Sequence, residues 1–111
     1  MALKLYWYFY VVIQVILKQL EEFYSSIDSL ELEEKEPRVG LPCVARFSDD
    51  RRFYRAQILE IDGVSVRVLF VDYGNEDQVT LFDLKRILPR FMTFPKLVRI
   101  FIRFSLENMF F

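Results

Sequence analysis

Four aromatic residues stand where this chain changes direction rather than in the middle of its apolar runs. Phe47 precedes the polar stretch SDDRR, Tyr54 follows it, Phe70 closes an apolar run, and Tyr73 lies inside Asp72-Tyr73-Gly74-Asn75. Core packing calls for aromatics in strand interiors; it does not call for a tyrosine at the tip of a glycine-containing turn. If the strands on either side form a small antiparallel barrel, all four rings converge at one open rim. Such a ring of π-faces attracts a bulky, weakly hydrated cation, at roughly 0.5–2 kcal/mol per contact. Methylation of Lys or Arg makes that kind of cation, by spreading charge over methyl groups and lowering the cost of leaving water. Asn75 adds a directional amide that can hydrogen-bond a guanidinium nitrogen or a peptide group, which tilts the site from methyl-lysine towards methylarginine. The plain alternative is that all four are ordinary barrel aromatics.

Other chemistry is sparsely represented. The chain has no histidine, and so lacks the commonest general base and metal ligand. Its single cysteine, Cys43, can form neither an internal disulfide nor a multi-Cys zinc site, and inside an apolar strand it reads as a small core residue. No dinucleotide fingerprint, phosphate loop, nucleophile elbow or zinc-protease motif is present in the sequence. Asp49-Asp50 and Glu76-Asp77 are carboxylate pairs that could hold a cation, although turns favour aspartate for their own reasons. The reading is of a non-enzyme without metal or cofactor. Fifteen basic against 16 acidic residues leave a formal charge of −1, so there is no global basic field for nucleic acid. With 111 residues, 53% of them hydrophobic and 17% aromatic, the chain has the length and apolar content of a folded domain rather than a disordered segment.

The elements expected to position the aromatics lie between Gly40 and Leu81. Cys43 to Phe47, Phe53 to Ile61, Val64 to Val71 and Gln78 to Leu81 read as short strands. Val64, Val66, Val68 and Phe70 are expected on one face. Asp62-Gly63 predicts a tight hairpin with both residues at positive φ. Four or five such strands suggest a small, strongly bent barrel. Upstream, the β-branched and aromatic residues around Phe9 to Ile16 predict a buried strand. Leu17, Leu20, Phe23, Tyr24, Ile27 and Leu30 then follow a 3.6-residue period and predict an amphipathic helix over 17–30. A charged linker, ELEEKEPR, comes next. The apolar run Leu5 to Leu17 is shorter than the roughly 20 residues a membrane span needs, and no small-residue cleavage site succeeds it, so stable membrane insertion is not expected. Leu97 to Phe104 predicts one further strand.

The stretch Val39 to Phe91 resembles a Tudor domain of the extended class found in animal germline proteins and in the Tudor–staphylococcal-nuclease protein. Three segments carry the resemblance in order: G-x-x-C-x-A-R-F over Gly40 to Phe47, F-Y-R-A over Phe53 to Ala56, and F-V-D-Y-G-N over Phe70 to Asn75. The resemblance implies a mainly β fold with one helix, in which residues 37–91 form an SH3-like Tudor barrel. Residues 1–36, a strand and an amphipathic helix, and residues 92–111, a C-terminal strand, are similar to pieces of the split OB-like staphylococcal-nuclease flank. Both pieces look short for a complete OB half. The resemblance also implies a cage for symmetric dimethylarginine, and its positions fall on Phe47, Tyr54, Phe70, Tyr73 and Asn75. Asp72, Gly74 and Arg55 belong to the same motifs, with Gly74 read as a turn requirement and Asp72 chiefly as a turn holder.

The resemblance therefore implies a methylarginine reader rather than an enzyme. Its ligands would be Arg-Gly-rich tails of Piwi-class Argonautes, and its role that of a cytoplasmic scaffold in piRNA pathways and germ granules (nuage). Asp49, Asp50, Asp72, Glu76 and Asp77 would attract such a tail. Three alternatives stand beside it. Lys85, Arg86, Arg90, Lys96, Arg99 and Arg103, interleaved with aromatics, could track an RNA backbone. The chain could serve protein association alone, without methylarginine. Or the N-terminal apolar run could anchor it to a membrane.

Overall fold

The computed structural model describes residues 2–93. Strands β1 (Pro42–Arg46), β2 (Phe53–Asp62), β3 (Ser65–Phe70), β4 (Glu76–Thr80) and β5 (Leu84–Lys85) form one antiparallel sheet in the order β4-β3-β2-β1-β5. Helix α1 (Ala2–Tyr24) precedes it, and a single turn, α2 (Pro89–Met92), succeeds it. The expectation of a mainly β fold with one main helix is met. The expected strand over Leu97 to Phe104 lies outside the described residues.

Alternation explains the sheet. In β3 the residues Val66, Val68 and Phe70 are buried while Ser65, Arg67 and Leu69 are not. Val64, expected on the same face, instead sits in the turn and is 60% exposed. Asp62 pairs with Ser65, so Gly63 and Val64 are the central residues of the hairpin. Only Gly63 takes a positive φ, +61°, the requirement of a type II′ turn. The hairpin is therefore present, but its centre lies one residue later than predicted. The register shifts between Ile58 and Glu60, a bulge that bends β2 and lets the sheet curl.

Strand β1 is buried on both faces. Cys43 and Ala45 face the sheet's concave core with Ile58, Val68 and Phe70. Val44 faces the other way, onto Leu20, Tyr24, Phe53 and Phe91. Each fully buried Leu or Phe of this kind contributes about 1.5–3 kcal/mol relative to exposure.

The N-terminal strand is the clearest departure from expectation. Residues 9–16 are helical and continuous with α1, and Ile16, Leu20 and Tyr24 present one buried stripe at four-residue spacing. A strand must borrow hydrogen-bond partners from a neighbour, whereas a helix supplies its own. The sheet pairs none of its described strands with this segment. Strand propensity, worth about 1 kcal/mol at most per residue, is overridden. The amphipathic helix predicted over 17–30 ends at Tyr24, with Ser25 and Ser26 closing it. The chain then continues as a 3-10 turn over Ile27–Leu32. Among the described residues no helix is long and apolar enough to cross a membrane.

Candidate functional site

The rim where β1, β2 and β3 exchange turns collects the four aromatics and Asn75. Phe47 opens the β1–β2 turn, which is closed by Phe47 N–H to Arg52 O at 2.8 Å and Arg51 N–H to Phe47 O at 2.9 Å. Arg51 takes a left-handed φ of 60° to complete it. Tyr54 stands near the start of β2, opposite Ala45. Phe70 ends β3 opposite Ala56. The next turn folds back tightly: the N–H groups of Tyr73 and Gly74 donate to Phe70 O at 3.2 and 2.7 Å, and Phe70 N–H donates to Asn75 O at 2.8 Å. Gly74 has a φ of +86°, where a side chain would be strained.

A buried ion pair holds that turn. Arg55 Nε donates to Asp72 Oδ2 at 2.8 Å and Arg55 Nη2 to Asp72 Oδ1 at 2.5 Å, while Arg55 Nη1 donates to Phe91 O at 3.1 Å. Arg55 and Asp72 are 4% and 7% exposed. This bidentate fork binds β2 to the Tyr73 turn and to α2. Asp72 therefore acts on the turn and does not line the site.

The rings enclose a space. Phe47 lies 5.4 Å from Phe70 and 6.2 Å from Tyr54, and Tyr54 lies 5.8 Å from Phe70 and 5.7 Å from Tyr73, all edge-to-face. The cavity, about 410 Å³, is lined by Phe47, Asp50, Tyr54, Phe70, Tyr73 and Asn75. Phe70 is buried and Tyr73 is 51% exposed, so the site has a closed floor and an open wall. All five residues predicted for the cage are brought together.

The acidic residues expected to attract a tail separate into different roles. Asp50 lines the cavity. Its Oδ2 accepts the Tyr54 hydroxyl and its Oδ1 accepts Arg52 N–H at 2.9 Å. Asp49 is exposed on the same turn but does not line the cavity. Asp77 holds the turn, accepting Ser48 N–H at 3.0 Å and Ser48 Oγ–H at 3.1 Å. Glu76 pairs with Arg67 on β3. Burial, followed by the hydrogen bond and charge of Asp50, raises the Tyr54 phenol well above its ordinary value; burial likewise raises Tyr73. Both phenols therefore stay neutral, and the walls offer π-faces rather than phenolates. Cys43 is fully buried in the barrel core, and burial pushes its thiol up to about 12, so it has no nucleophilic character.

A second cavity, of about 470 Å³, shares Tyr54 with the first and runs between β2 and α1. Lys18, Glu21, Glu22 and Arg52 bring charge to it. Glu21 is fixed there by Phe53 N–H at 2.8 Å and Ser25 Oγ–H at 2.7 Å. In the sequence Glu21 reads only as a solvated helix residue. Its role depends on where α1 docks, which no local pattern reveals. Of the basic residues considered for RNA, Arg90 lies over the rings of Phe23 and Phe91 at 4.5 and 4.8 Å, and Arg86 donates to Glu31 O at 3.3 Å. Lys96, Arg99 and Arg103 lie outside the described residues. Among the described residues no cluster of His, Cys, Asp and Glu could hold a metal ion.

Comparison with known proteins agrees with this architecture. The sequence model of the Tudor domain family matches residues 9–108. Tudor domain-containing protein 1 of Mus musculus is 48% identical over 58 residues, spanning 51% of this chain and 5% of that protein. The solved extended Tudor domain TD3 of mouse TDRD1, in complex with a MILI peptide containing dimethylarginine, superposes with a TM-score of 0.67. It is 34% identical and covers 75% of this chain and 41% of that one. The Drosophila melanogaster Papi extended Tudor domain, in complex with a Piwi N-terminal peptide, superposes with a TM-score of 0.74 at 23% identity, over 79% of this chain and 46% of that one. The second likeness shows the fold alone. This chain thus spans a small fraction of its mouse relative and less than half of either solved chain.

Proposed function

The chain belongs to the Tudor domain family, and we propose on that premise that it reads symmetric dimethylarginine in Arg-Gly-rich protein tails. An extended Tudor relative holds a peptide carrying dimethylarginine. The observation that carries the reading to this chain is the set of four edge-to-face rings around a cavity of about 410 Å³, open on the Tyr73 side with Asn75 in its lining. A guanidinium bearing methyl groups is flat, cationic and weakly hydrated. It slides between neutral π-faces at roughly 0.5–2 kcal/mol per face, while Asn75 accepts or donates one directional hydrogen bond. Neutral rings and one amide suit the holding of a cation, which supports reading the site as a binding module. The groove beside α1 then takes the residues flanking the arginine. In the cell such a module scaffolds Piwi-class Argonautes in germ granules of the piRNA pathway.

The test is a titration with matched Arg-Gly peptides, unmodified and symmetrically dimethylated, monitored by backbone amide shifts. Saturable shifts at Phe47, Tyr54, Phe70, Tyr73 and Asn75 that are larger and tighter with the methylated peptide are expected. A folded sample that responds to neither peptide overturns the reading.

A further inference from the structure

Resting on the reader assignment, we infer that Asp50 sets how sharply the cage distinguishes methylated from unmethylated arginine. Asp50 is the one carboxylate in the cavity lining among the described residues. Its two fixed contacts, to the Tyr54 hydroxyl and Arg52 N–H, lock its orientation yet leave a lone pair on each oxygen. The turn that carries it is rigidly tied. Ser48 is bonded to Asp77, and the neighbouring Arg51 is engaged 3.3 Å away by Asp83. Asp50 itself is in no ion pair among the described residues, so its charge faces the cage without a protein counter-ion.

Donor counting separates the two ligands. An unmethylated guanidinium carries five N–H donors and is strongly hydrated, so entering an aromatic cage leaves donors unmet at a cost. A carboxylate in the wall meets such donors with charge-assisted hydrogen bonds, roughly twice as strong as neutral ones. The symmetric dimethyl form has exchanged two donors for methyl groups and depends more on the rings. Asp50 therefore supports the unmethylated ligand more than the methylated one and narrows the gap between them. This chain is thereby suited to tails that are incompletely methylated.

The experiment measures affinities of the wild-type chain and of Asp50→Asn for the unmethylated and symmetrically dimethylated Arg-Gly peptides, at about 0.05 and 0.5 M salt. Asn retains a carbonyl for the Tyr54 hydroxyl and removes the charge. The expected result is about a tenfold loss for the unmethylated peptide and about threefold for the methylated one, the difference between a charged and a neutral acceptor. Selectivity thus rises about threefold, and it persists at high salt because the contact is direct. Asp50→Ala should move selectivity the same way. Equal losses for both peptides, or a selectivity change that vanishes at high salt, would mean Asp50 acts only by long-range attraction and overturns the inference. A wild-type chain that binds neither peptide overturns the reader assignment itself, a result separate from wild-type binding with unchanged selectivity in the variant.

Discussion

Phe53 and Tyr54 are neighbours on one strand and end in two aromatic clusters with opposite fates. Phe53 points to the α1 side, where it meets Tyr24 at 6.0 Å, while Phe91 lies 5.6 Å from Tyr24 and 5.7 Å from Phe23. Tyr54 points to the rim, where Phe47, Phe70 and Tyr73 surround it. The first cluster is filled. The Tyr24 hydroxyl donates to Arg86 O at 2.8 Å and accepts Leu88 N–H at 3.0 Å, so its polar tip is satisfied and its ring is buried. The second is bounded by two turns around an open cavity. Aromatic side chains at similar centroid spacings close into a core where a helix covers them and leave a cavity where turns hold them apart.

This contrast makes stability and binding separable. Tyr24→Ala should cost about 3–5 kcal/mol of folding stability, as large-to-small core changes do, with the affinity of the remaining folded fraction for dimethylarginine little changed; urea unfolding and titration of the same sample measure both. Asp72→Asn crosses the divide, because it strips the charge from the buried partner of Arg55. It should cost about 3–5 kcal/mol and also loosen the Tyr73 turn, so both binding and stability fall; a loss of stability alone would show that the turn holds without the ion pair. Tyr73→Ala should be the mirror image of Tyr24→Ala. The melting temperature stays within a few degrees while dimethylarginine affinity drops about tenfold or more, one or two π-contacts' worth. Asn75→Ala removes one hydrogen bond and should cost about 1 kcal/mol for methylarginine, with less effect on methyl-lysine; equal losses would remove Asn75 as the selector.

The smallest effect concerns the barrel core. Cys43 holds its proton up to about 12, against an ordinary value of 9.0. Below 9.0 folded and unfolded states are protonated alike. Between 9.0 and about 12 the unfolded thiol ionises while the folded one does not, so this group's contribution to stability is lost as pH rises through that window. Cys43→Ala should have a shallower alkaline decline in urea midpoint than the wild type. Identical slopes would place the thiol's titration elsewhere.

Much of the site was legible because it depends on turns. The positive φ at Gly74, the alternation of β3 and the placement of Phe47 and Tyr54 on either side of SDDRR are properties of short segments, and short segments can be read locally. Of the individual acids, only Asp72 reads in the sequence as a turn holder; the partner that binds it there, the Arg55 guanidinium 17 residues away, does not show. Asp50 and Asp77 look alike in a sequence, yet one lines the cavity and the other holds Ser48. Their roles depend on side-chain partners 4 and 29 residues away. The segment around Phe9 to Ile16 misled for a related reason. Its residue types favour a strand, but a strand without a neighbour cannot satisfy its backbone.

By itself, then, the sequence determined the strand periods, the presence though not the centre of the Asp62–Ser65 hairpin, the helical stripe of Leu20 and Tyr24, and the identities of the five residues that converge on the rim. All of these come from local φ/ψ preference and side-chain alternation. Only the tertiary structure decided that α1 extends back to Ala2 and that Glu21 borders a groove beside Tyr54. It also decided that one aromatic cluster closes while the other stays open. Those outcomes depend on which surfaces meet, and contact between distant segments is set by the burial of whole faces rather than by any residue's own preference.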